Sequence, residues 1–145
     1  MTGVQTCALP ISAQSKGEEE ESPQANCVPP GMLAIMNQPY PMELLFTPGK
    51  VTIVIEAYSQ TRRIFLDGRK HPDDPDLTFN GHSIGHWEGD TLVVDSVGFN
   101  EDFWLDRRGL PHTEQLHTIE RFTRTNKQTI DYKLTIDDPG AYTKP

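Results

Sequence analysis

Apolar and polar positions alternate with period two over several stretches of the chain, which is the pattern of strands buried on one face. Residues 51–58 (VTIVIEAY) place Val51, Ile53, Ile55 and Ala57 on one side and are rich in the β-branched residues that suit a pleated surface. After a tight connection at Ser59-Gln60, residues 61–66 return, with Ile64 and Leu66 on one side and Arg63 and Phe65 on the other; Asp67-Gly68 closes the strand with a turn. Residues 83–87 and 91–97 flank Glu88-Gly89-Asp90, a short Gly-containing loop, and predict a hairpin. Residues 115–123 and 128–137 form a second hairpin around Thr125-Asn126-Lys127. In it Ile130, Tyr132, Leu134 and Ile136 alternate with polar residues, so one face is wet or lines a polar cavity.

Pro39-Tyr40-Pro41 forces extended backbone ahead of a short strand at 42–46. Thr47-Pro48-Gly49-Lys50 ends it with Pro and Gly at the central positions of a type II turn. Residues 32–36 make a turn or a helical stub, 71–76 a Pro/Asp loop and 77–80 an extended piece. Residues 98–111 form a long irregular loop carrying Phe103, Trp104 and Leu105, of the kind that is functional or pinned by its aromatics. No segment keeps a 3.6 period and no repeat is visible. Six or seven strands joined in order by short turns predict a mainly β chain: an antiparallel meander curled into an incomplete, lipocalin-like up-and-down barrel, or a sandwich. A closed small barrel needs about eight strands.

Composition narrows the partners. At 145 residues the length fits one domain, and 12 Pro with 11 Gly favour a turn-rich β protein. The net charge is −8 with no Lys/Arg block, which argues against nucleic acid. No apolar run approaches the roughly 20 residues of a membrane span. Cys7 and Cys27 build no CxxC or Cys/His zinc spacing. Residues 2–11 (TGVQTCALPI) resemble translated sequencing-adapter read-through and are expected to carry no fold information. Residues 12–26 are polar and acidic and are expected to be disordered. The expected organisation is therefore an artefactual or disordered segment over 1–28 and a single β domain over 29–145, truncated at its C-terminal end.

Long stretches of the β part match a family pattern: PPGM at 29–32, FTPGKVTIVIE at 46–56, RRIFLDGRKHP at 62–72, GHSIGHWEGDTLVVDSVGFN at 81–100, WLD at 104–106, PHTEQLHTIERF at 111–122 and the TIDDPGAYTKP end. In these motifs the chain resembles a family of uncharacterised bacterial proteins, common in metagenomes and usually predicted to be exported. The resemblance implies a periplasmic or secreted location and continuation into further strands past Pro145; residues 2–11 lack a basic start and a long apolar run, so they are not expected to be a signal peptide. It implies no particular chemistry.

Four groups of residues are candidates for function. His82, His86 and Glu88 share a strand face and could hold a divalent transition metal such as zinc or iron. Against this, positions 82 and 86 are roughly 13 Å apart along a regular strand, so a bend at Gly85 would be needed; otherwise the histidines bond to backbone. His112, Glu114 and Glu120 are expected to face one way and His117 the other, giving a carboxylate and a histidine in the barrel interior as an acid/base pair, or a structural polar pair. Arg62-Arg63, with Asp67 and Arg69, could offer an inward guanidinium to a carboxylate ligand, Arg63 being the ligand-binding candidate; a surface arginine is the plain alternative. Asp95, Phe99, Asn100, Trp104 and Asp106 could form a lid over a ligand site, or Trp104 could plug the barrel end.

GxSxG, P-loop and GxGxxG motifs are missing, which argues against acyl transfer, NTP hydrolysis and dinucleotide chemistry. The leading expectation is an exported small-molecule-binding protein with a polar His/Glu/Asp pocket. A metal-dependent or acid/base enzyme built on the same residues is the alternative, and a structural envelope-associated domain the third. The sequence sets neither ligand nor oligomeric state.

Overall fold

The computed structural model describes residues 28–106 and 108–145. The adapter-like stretch, the acidic segment and Cys27 lie outside the described residues. Seven strands form one sheet in sequence order: β1 (Met42–Thr47), β2 (Lys50–Ile55), β3 (Gln60–Phe65), β4 (His82–Glu88), β5 (Thr91–Val97), β6 (His117–Arg124) and β7 (Ile130–Asp137). The sheet curls into an open half-barrel with little helix, as the alternation predicts. Its edges are β1 and β7.

Five of the six pairings are antiparallel. The exception corrects the meander. β3 and β4 run parallel and pair only at Ile64 with Ser83 and Phe65 with Ile84. The cause is the connection over residues 66–81, which is too long for a hairpin and brings the chain round so that β4 enters alongside the end of β3. Its extended piece makes one bridge, Thr78 to Phe99, fixed by Thr78 N–H to Gly98 O at 3.0 Å and Asn100 N–H to Thr78 O at 3.1 Å.

A second correction concerns β2. It stops at Ile55 rather than Tyr58, because the register puts Ile55 opposite Gln60 and residues 56–59 must turn the corner. They do so through a 3₁₀ turn with Tyr58 and Ser59 at positive φ.

The concave face carries the core. Val51, Ile53, Ile55, Ile64, Leu92 and Val94 make one buried cluster. The helix α1 (Met32–Met36) lies against it through Ile35, and Met32 and Leu33 join a second cluster with Phe99, Phe103, Leu105 and Leu116. The long loop is therefore pinned by Phe99, Phe103 and Leu105, each nearly or fully buried, while Trp104 is only half-buried. Burying side chains of this size stabilises by about 1.5–3 kcal/mol each, enough to hold a segment with no regular structure. Asp138, just past β7, clasps the same segment: its carboxylate accepts from Thr113 N–H and Thr113 Oγ1, both at 2.6 Å.

Candidate functional site

Neighbouring residues on β3 to β6 point to opposite faces, and the sheet carries a polar cluster on each. Ser83, Ser96 and Thr118 lie in one row across β4, β5 and β6, all turned inward. Arg62 on β3 and Glu120 on β6 complete the inner cluster. Both are essentially inaccessible to solvent, at 1% and 0% exposure. Arg62 Nη1 donates to Glu120 Oε1 at 2.9 Å, and Nη2 pairs with Oε2. Arg62 Nε and Nη2 donate to Ser83 Oγ at 3.3 and 3.1 Å, and Nη2 also to Ser96 Oγ at 3.0 Å. Tyr132 Oη on β7 donates to Glu120 Oε1 at 2.8 Å, and its burial beside that carboxylate pushes its pKa up. An ion pair removed from water is tolerated when further hydrogen bonds hold it, and here Ser83, Ser96 and Tyr132 supply them. The inward arginine is thus Arg62, whose carboxylate partner is supplied by the chain itself.

The outer cluster starts one residue away on three of the same strands. His82 on β4, Asp95 on β5 and His117 on β6 project outward, with His71 from the 66–81 loop laid beside them. Asp95 faces Ile84 on one side and Ile119 on the other, so His82 and His117 are its diagonal neighbours, within reach of long side chains. Asp95 Oδ1 takes His117 Nε2 at 2.8 Å and His71 Nε2 at 3.2 Å; His71 Nδ1 lies 2.9 Å from His82 Nδ1. The His82 ring stacks on Phe65, with centroids 5.5 Å apart. Unlike the inner cluster, this one meets water: the side chains of His71, His117 and Asp95 are 19%, 35% and 40% exposed. Burial pushes the His82 imidazole below its ordinary pKa, and the nearby His71 and Arg69 push the same way.

Between the two clusters lies a crevice of about 340 Å³. It exists because the parallel pairing of β3 and β4 is so short: Gln60–Arg63 have no strand partner on that side. Thr61, Arg63, Phe65, Asn80 and His82 line it, and the buried Arg62 and Ser83 also reach it. Gly81 lets the chain enter β4 there. Its φ is +63°, and a Cβ would sit 2.7 Å from Val97 O and 2.8 Å from the Phe99 ring. Asn80 Oδ1 is buried with no hydrogen-bond partner among the described residues.

The other expected site residues fall elsewhere. His82 and His86 do not share a metal site: β4 stays paired to β5 along its whole length, so no bend at Gly85 brings them together. His86 Nε2 instead meets Glu88 Oε1 at 3.2 Å on the exposed hairpin end, where Arg121 also pairs with Glu88. Among the described residues no group of three His, Cys, Asp or Glu has the spacing of a metal site. His112 and Glu114 do not share a strand face with Glu120, because β6 begins only at His117. His112 is buried against Phe103, with centroids 4.2 Å apart, and desolvation pushes its pKa down. Glu114 is exposed, and its N–H donates to Glu101 at 3.1 Å.

Of the lid residues, Asn100 Oδ1 caps the N–H of Asp102, and Asp106 pairs with Arg108. His71, Ser83 and Ser96 are the residues that sequence reasoning passed over; Arg62 and His117 were named there, but Arg63 was the ligand-binding candidate and His117 was set apart from the acid/base pair. The signal available for the two serines was parity: Ser83 and Ser96 lie opposite each other once the Glu88-Gly89-Asp90 turn fixes the hairpin register.

No family model, curated protein or solved structure matches the chain.

Proposed function

We propose that the protein binds a small polar molecule in the crevice between β3 and β4. The observation that carries this reading is the gap itself: a sheet paired along every other strand opens at one place, and the opening is lined by Arg63, Asn80 and His82. A volume of about 340 Å³ suits a small ligand, and sites of this size fix their ligand with a few placed polar groups. The orphaned Asn80 Oδ1 favours a ligand that donates a hydrogen bond, and the Arg63 guanidinium favours one that carries a carbonyl or carboxylate oxygen. Location outside the cytoplasm rests on the family resemblance alone and belongs to the same proposal.

Screening small polar fragments by amide chemical-shift mapping tests it. Binding is expected to perturb Thr61, Arg63, Asn80 and His82 together. Perturbations confined to other surfaces, or none from any fragment, would contradict it.

A second reading has its own observation. An apolar cleft of about 470 Å³ lies between α1 and β7, lined by Leu33, Met36, Leu105, Leu134 and Tyr132. Tyr132 is held in that wall by its bond to Glu120. In this reading the half-barrel takes an apolar ligand on its concave side, as a lipocalin-like protein would, and the same mapping would light up β7 instead.

A further inference from the structure

We propose that Asp95, His71 and His82 form a proton relay, and that His82 Nε2 at its end is a general base toward small carbonyl compounds with an acidic C–H. The proposal rests on the crevice reading, because the crevice is where such a molecule would meet His82.

Hydrogen-bond bookkeeping fixes the direction of the relay. A carboxylate can only accept, so His71 Nε2 and His117 Nε2 both carry the hydrogens that point at Asp95 Oδ1. Neutral His71 is then protonated on Nε2 and bare on Nδ1. The 2.9 Å contact between His71 Nδ1 and His82 Nδ1 therefore needs the hydrogen on His82. Neutral His82 is left with its lone pair on Nε2, which makes no hydrogen bond among the described residues, on a side chain that lines the crevice. His117 completes the frame by holding Asp95 from the other side.

The step balances without a protein nucleophile, whose motifs the sequence lacks. His82 Nε2 takes the proton from carbon, and the C–H electron pair forms a C=C bond. The carbonyl π pair moves onto oxygen, where the Arg63 guanidinium on the crevice wall can meet it. The positive charge on His82 is shared through Nδ1–H with His71 and faces the Asp95 carboxylate beyond. Return of the proton to the same or the neighbouring carbon gives exchange or isomerisation, with no net oxidation. In this scheme His82 is the catalytic residue, and His71, Asp95 and His117 are positioning residues. The charged or titratable groups around His82 are His71 and Arg69 from the 66–81 loop, Asp95 through His71, and Arg63 and Asp76 elsewhere on the crevice wall.

The test uses the whole chain and the probe 5-nitrobenzisoxazole, whose ring opens when a base removes its C–H proton: that electron pair forms C≡N and the N–O bond breaks to release a phenolate. Turnover is expected above that of free imidazole at equal concentration, and His82→Gln is expected to lower it by about 10²-fold or more. Asp95→Asn removes the anion that favours a protonated His82, so the midpoint of the rate–pH curve should move to lower pH, which a merely structural defect would not do. His86→Gln, on the distant hairpin end, should keep the full rate.

Turnover no better than imidazole, an unchanged rate in His82→Gln, or an unmoved midpoint in Asp95→Asn would overturn the relay. Fragments that map to the crevice while His82→Gln keeps its rate would sink the relay and spare the binding reading. Loss of rate in His82→Gln with no fragment at the crevice would do the reverse.

Discussion

The inner and outer clusters are built from adjacent residues on shared strands: Ser83 beside His82, Ser96 beside Asp95, Thr118 beside His117. They differ in access to water and in how their charged groups are held. Inside, each guanidinium nitrogen of Arg62 makes a hydrogen bond, and Glu120 accepts from both Arg62 and Tyr132. The unpartnered atom there is Thr118 Oγ1, which is buried and has no hydrogen-bond partner among the described residues. Outside, the carboxylate and imidazoles are partly exposed, and one ring nitrogen is left uncommitted beside a crevice. A buried network whose ion pair is held from several sides specifies structure, whereas an unsaturated one at the surface is available for chemistry.

The largest expected effect separates the two. Glu120→Ala strands a buried guanidinium and should cost about 3–5 kcal/mol of unfolding free energy. A double replacement, Arg62→Met with Glu120→Met, should recover part of that loss but not all, because Ser83 and Ser96 would keep buried hydroxyls without their charged partner. Urea unfolding of the three proteins measures this; a Glu120→Ala variant as stable as the parent would erase the distinction drawn above.

Tyr132→Phe comes next. It removes one hydrogen bond to a charged group at the half-exposed wall of the cleft, and about 1 kcal/mol is the expected loss in the same assay. Stability unchanged by that replacement would mean that water substitutes for the hydroxyl and that Glu120 is less secluded than its burial indicates.

Acidification should act through His112 and His82, both held below the ordinary imidazole pKa chiefly by burial. The unfolded chain then binds protons that the fold refuses, so stability is full above about pH 6.5 and declines as pH falls toward the folded-state values. His112→Phe, which keeps a ring against Phe103, should flatten that decline between pH 7.5 and 5.5. An equal slope in both proteins would assign the acid sensitivity elsewhere.

The smallest stability effect is expected for Asp95→Asn. Its ion pairs are partly exposed, and such pairs contribute about 1 kcal/mol or less. A loss as large as that of Glu120→Ala would make the outer cluster a structural one too.

The legible part of the fold was whatever local alternation encodes. Residues 91–97 and 130–137 announce their strands, and the Gly of Glu88-Gly89-Asp90 fixes the register that sets Ser83 opposite Ser96. The parallel pairing was not legible, because residues 66–81 carry no period and nothing local says which strand β4 will join. The same gap hid the site. His82 and Asp95 were visible as site candidates, but in separate groups: His82 with His86 and Glu88 as metal ligands, Asp95 as part of a lid. His71 sat in a Pro/Asp loop with no periodic cue, and the β5–β6 register that brings His117 to Asp95 depends on the irregular segment 98–116. Arg62 was visible only as one of two adjacent arginines, and its facing follows from sharing parity with Ile64.

The ring tautomer of His82 tests the outer array most directly. A long-range ¹H–¹⁵N spectrum of the histidine side chains at neutral pH should show His82 neutral, with its hydrogen on Nδ1 and a bare Nε2. A hydrogen on Nε2 instead would leave the crevice facing a donor rather than a base, and the relay from Asp95 would not exist.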